Sequence, residues 1–75
     1  MRANTYDPEA DAAYIYLADA AVAESEEVAD GVVLDFDDGG RVVGIEVLNA
    51  SRTLRDGVWR RWPLPGGDAH VHAAE

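Results

Sequence analysis

From Gly31 to Leu48 the chain reads G-V-V-L-D-F-D-D-G-G-R-V-V-G-I-E-V-L. Two runs rich in β-branched residues flank an Asp-Asp-Gly-Gly segment, a pattern that predicts a β-hairpin. The alternation also predicts a register. With Val32 opposite Ile45, Leu34 opposite Val43 and Phe36 opposite Arg41, the large apolar side chains share one face. Slipping the pairing by one residue sets Leu34 against Gly44 and Val32 against Glu46, which breaks that face. This register leaves a two-residue Asp38-Gly39 loop of type I′. The other face carries Val33, Asp35, Val42, Gly44 and Glu46. It is only half polar and calls for partial cover.

Upstream, residues 1–7 predict a short strand anchored by Tyr6, and Asp7-Pro8-Glu9-Ala10-Asp11 predicts a turn. A competing reading makes Asp7 a helix N-cap with Pro8 in the first turn. Alternation of Ala13, Ile15 and Leu17 with Ala12, Tyr14 and Tyr16 favours a strand over residues 12–18. Val22 to Val28 reads as an acidic strand or extended segment, and Ala29-Asp30-Gly31 turns it into the hairpin. Asn49 or Ser51 suits the cap of a short helix ending near Arg55, with Leu54 packed on the sheet and Gly57 as the stop. The fold class is α+β: a small antiparallel sheet of about four strands in a meander, then a short C-terminal helix. Residues 1–65 form one domain, and residues 66–75 read as a tail.

Composition narrows the chemistry. The 75 residues include no cysteine and no lysine. Disulfides, thiolate zinc sites, Schiff-base lysines and Walker lysines are therefore excluded. A core of this size gives only a few kcal/mol of net stability, so self-association into a homodimer is expected. No apolar run approaches the roughly 20 residues that span a bilayer, and a cytoplasmic protein without a membrane partner is expected. The net charge is −9, unevenly placed: residues 1–50 hold twelve acids and two arginines, while residues 51–65 hold four arginines and one aspartate. Such an acidic body disfavours nucleic acid as the main ligand and suits a basic protein partner.

Each chemical motif has a plainer reading. Asp35, Asp37, Gly40 and Glu46 match the first, third, sixth and twelfth positions of a calcium loop, but strands flank them. In the predicted register Asp35 and Glu46 lie four residues apart, about 13 Å at strand spacing, so a hairpin turn is expected instead. Asp7, Glu9 and Asp11 read as a solvated acidic turn, and Glu24, Glu26 and Glu27 as a charged sheet edge that blocks aggregation. His70 and His72 supply two imidazoles, too few for a metal site. No cofactor and no catalytic constellation is expected. The best interaction candidate is Trp59-Arg60-Arg61-Trp62, because tryptophan and arginine dominate binding hot spots; the alternative is that the indoles cover the core. Exposed Val33 and Val42 would extend such a partner surface.

Three blocks carry a resemblance. They are Y-D-P-E-A-D-A-A-Y-I from Tyr6, D-G-V-V-L-D-F-D from Asp30 and G-R-V-V-G-I-E-V-L from Gly40. Together they closely resemble DUF2283, a bacterial and phage family of unknown function, from Tyr6 to about Leu54. The resemblance implies a compact antiparallel sheet with a short C-terminal helix and no established catalytic residue. Proteins resembling this family often lie beside genes for small toxin-like proteins, which implies a non-enzymatic, antitoxin-like partner of a small basic toxin. The alternative is a self-associating, homodimeric structural domain.

Overall fold

The computed structural model describes residues 3–65. The expected tail, with His70 and His72, lies outside the described residues. Five strands form one antiparallel sheet: β1 (Thr5–Asp7), β2 (Ala12–Tyr16), β3 (Glu24–Ala29), β4 (Val32–Phe36) and β5 (Val42–Leu48). A one-turn helix, α1 (Ala50–Thr53), and a 3-10 turn over Val58–Arg61 follow. Residues 12–16 are a strand, so the competing helical reading of that segment does not hold. Among the described residues no helix is long and apolar enough to cross a membrane.

The sheet is not a meander, and it has five strands rather than about four. Its order is β1-β2-β5-β4-β3. A sequential meander would place β3 at the centre, where Glu24, Glu26 and Glu27 would lose water. The observed order sends that strand to an edge, where all six of its residues are exposed. Charge is tolerated at an edge and disfavoured between two strands. The apolar β5 takes the centre instead, between β2 and β4.

The hairpin register differs from the expected one by two residues. Val32 faces Val47 and Leu34 faces Ile45. A two-residue shift keeps every side chain on its face, so the predicted apolar face survives while its partners change. The cause lies in the turn. Asp37 Oδ1 accepts N–H bonds from Gly39 and Arg41, each at 2.9 Å. The Asp37 N–H donates to the Arg41 carbonyl at 2.9 Å, and Gly40 alone in this loop has positive φ, +83°. A type I′ turn would need positive φ at Asp38, which costs any residue with a Cβ. The longer loop confines that conformation to a glycine. A bulge then absorbs the offset: Asp35 faces Gly44 but Phe36 faces Val42, so Val43 is the extra residue.

The core occupies one end of one sheet face. Tyr6, Ala13, Val47 and Val32 share a rung. Ala50 of α1 and Trp59 pack on this rung at 0% and 6% exposure, with Leu54, Trp62 and Ile45 partly buried around them. Trp59 meets Tyr6 edge to face at 4.8 Å between ring centres, and its indole N–H donates to the Arg55 carbonyl at 2.7 Å. The Tyr6 N–H donates to the Pro63 carbonyl at 3.1 Å, which ties the end of the described chain to β1.

Candidate functional site

Two hydroxyl–carboxylate networks organise the polar groups. On the face opposite the core, Tyr14 and Ser25 both donate to Asp35. The Tyr14 hydroxyl bonds Oδ2, and Ser25 Oγ bonds Oδ1 at 2.6 Å. These residues sit on β2, β3 and β4, and β5 runs between β2 and β4. The Tyr14 ring therefore lies across β5, over Gly44, where a Cβ would come within 2.6 Å of Tyr14 Cζ. A glycine inside a strand signals such close approach. Asp35, 8% exposed, is thus a buried carboxylate held by two hydroxyl donors. Burial, and then the Asp35 carboxylate, push the Tyr14 hydroxyl well above the usual tyrosine range. Beside this network Tyr14, Tyr16, Asp35, Val22 and Val43 line an open cavity of about 280 Å³.

The second network ties the β1–β2 turn to α1. Asp11, at φ +54°, accepts from the Tyr6 hydroxyl at 2.8 Å, from Ser51 Oγ at 2.7 Å and from the Ser51 N–H at 3.1 Å. Its carbonyl accepts the Ala50 N–H at 2.8 Å. The helix cap thus comes from a residue 40 positions upstream. Asn49 occupies the N-cap position in a left-handed conformation without a side-chain cap bond, and Ser51 lies inside the helix. The Ser51 and Tyr6 hydroxyls hold the Asp11 carboxyl below its usual range. The Tyr6 hydroxyl is raised in return, chiefly by the same bond. Asp11 is therefore more than a solvated turn residue. Asp7 ends β1, and its carboxylate opens the turn by accepting the Glu9 N–H at 3.0 Å.

The expected interaction residues do not converge on one patch. Trp59 is buried on Tyr6, and Trp62 is half-buried beside it. Arg60 stacks over the Trp59 ring at 4.6 Å and pairs with Asp56 at 2.7 Å. Arg61 is exposed. Val33 lies half-buried on the opposite sheet face, on the rung of Tyr14 and Glu46. Val42 is exposed near the hairpin end. Asp35 and Glu46 stand two residues apart along the ladder rather than four, because Asp35 faces Gly44. The separation is about 7 Å, and both Asp35 oxygens accept from the hydroxyls above.

A different surface emerges from the register. On the core face, α1 and the 3-10 turn pack on the Tyr6–Ala13–Val47 end, with Ile45 partly buried against it. Ile15, Ile45, Leu34 and Phe36 continue that face and are half-buried. The same pairing puts Glu26 beside Leu34 and Glu24 beside Phe36. An apolar strip therefore ends in a carboxylate border. The alternation legible in the sequence contained both halves, but the border depends on β3 being next to β4.

The family model for protein of unknown function (DUF2283) matches residues 4–51. The match spans β1 to the start of α1 and includes both networks. No curated protein and no solved structure matches the chain.

Proposed function

The chain belongs to the DUF2283 family of proteins of unknown function, and we propose that it acts by binding a basic protein partner rather than by catalysis. The observation that carries this reading is the half-covered sheet face. Ile15, Ile45, Leu34 and Phe36 form an apolar strip bounded by Glu24 and Glu26. An amphipathic basic element would bury the strip and place its cations at the border. The net charge of −9 steers such a partner to the surface. The carboxylates that sequence chemistry singles out have structural work: Asp35 ties three strands, Asp11 caps α1 and Asp37 closes the turn. In this reading the chain is an antitoxin-like cytoplasmic protein and its partner a small basic toxin.

The test is affinity capture by the wild-type chain and by Leu34→Arg, with capture partners identified and their charge read from sequence. A basic protein retained by the wild type and lost by the variant, both chains being folded by circular dichroism, is the expected result. Equal retention by both would remove the strip from the reading. A second reading is a homodimer through the same strip, favoured by the apolar area it leaves in water. Sedimentation distinguishes the two: a wild-type dimer that Leu34→Arg converts to monomer, with no basic partner captured, supports the homodimer.

A further inference from the structure

We propose that the outer edge of β3 accepts an extended basic segment as a sixth strand, with cationic side chains at alternate positions. The inference rests on the partner-binding reading and names the form of the partner. β3 ends the sheet order, so its outer backbone donors and acceptors have no strand beside them among the described residues. The other edge is less available. β1 has three residues, and the Tyr6 N–H is taken by Pro63. β3 offers six exposed residues.

Charge decides what fits there. Glu24 and Glu26 share a face with Phe36 and Leu34. On the other face Ser25 is bonded to Asp35, and Glu27 Oε2 accepts the Gly31 N–H at 3.2 Å. The carboxylates left for a partner thus recur at the two-residue period of a strand. A second copy is a poor occupant. Antiparallel self-pairing centred on Ser25 sets the Glu24 and Glu26 side chains of the two copies against each other, and pairing centred on Glu26 sets its two copies together. Like charges directly opposite destabilise a strand pair, whereas opposite charges stabilise it. The added strand gains main-chain hydrogen bonds, and its cations land at the border of the apolar strip, so one partner can occupy edge and strip together.

The probe is a short valine–threonine peptide with arginine at alternate positions, compared with its glutamate counterpart and with a backbone N-methylated version of the same charge. Amide exchange and chemical shifts of the folded chain locate binding, and calorimetry measures it. The arginine peptide should bind and protect β3 amides. The N-methylated and glutamate peptides should not. Glu24→Gln with Glu26→Gln should weaken binding roughly five-fold, the loss of two cross-strand charge pairs. Equal binding of the N-methylated peptide, or protection elsewhere than β3, would overturn strand addition. So would failure of the arginine peptide to bind. A basic partner captured through Leu34 while the peptide fails would leave the partner-binding reading intact and remove only the edge.

Discussion

At the scale of single residues, Gly44 and Tyr14 form one unit. The tyrosine ring occupies the space of a side chain that Gly44 lacks, and its hydroxyl satisfies Asp35. Gly44→Ala forces the ring off β5 and should destabilise by about 1–3 kcal/mol, the usual range for overpacking. In a Tyr14→Ala background the same change should cost much less, and a double-mutant cycle by denaturant unfolding measures the coupling. Asp11 is the second residue-level test. Its folded carboxyl titrates below the ordinary value, so its contribution is complete above the ordinary carboxylate pKa near ~3.9. That contribution is lost as pH falls through the lower folded value. Asp11→Asn should therefore flatten the acid limb of a stability–pH curve, read from melts between neutral and strongly acidic pH. An unchanged acid limb would mean that the bonds to Ser51 and Tyr6 do not distinguish folded from unfolded chain.

At the scale of elements, the hairpin turn separates two adjacent glycines. Gly40 needs positive φ, and a Cβ there would meet nothing within 4 Å, so its constraint is backbone alone. Gly40→Ala should cost about 1–2 kcal/mol, the left-handed penalty. Gly39→Ala should be close to neutral, because Gly39 is not in that region. A type I′ loop would make Gly39 the costly position, so paired thermal melts of the two variants decide the turn. Leu34 is half-buried on the open strip, so Leu34→Ala should cost about 1–2 kcal/mol, below the 2–5 of an enclosed site. Asp37 holds two turn N–H groups, and Asp37→Ala should cost about 1 kcal/mol. Denaturant midpoints should place the two variants close together. A Leu34 loss several times larger would mean that the strip is covered in solution, as a homodimer would cover it.

At the scale of the whole molecule, charge and cover dominate. A net charge of −9 on 75 residues repels itself. Added salt screens charges more than about 8 Å apart at physiological ionic strength, so the melting temperature should rise from low to moderate salt. Binding of the arginine peptide should weaken over the same range. Opposite responses of stability and binding to one variable separate self-repulsion from partner attraction. A melting temperature that falls with salt would show that local ion pairs such as Arg60–Asp56 outweigh the global field.

The sequence by itself determined where most strand segments and the β4–β5 turn fall, the apolar face of the hairpin, the acidic edge and the family, but not the strand count or the type of that turn. The features it did determine follow from the two-residue period of β-branched and aromatic side chains, from Gly and Asp at turns, and from where glutamate clusters. A signal for the tyrosine network was also present, since an isolated Gly44 in a strand marks a close approach. Which side chain makes that approach depends on β2 lying beside β5, and local pattern does not encode that adjacency. Tertiary structure alone decided the strand order, because the cost of burying β3 appears only when all five strands compete for the centre. It alone decided the exact pairing of Leu34, since registers two residues apart keep the same faces and differ only in how the loop closes. The cap of α1 likewise came from Asp11 across 40 residues, where Asn49 and Ser51 were the near candidates. Local chemistry specifies what each residue needs, and long-range packing selects the partner that supplies it.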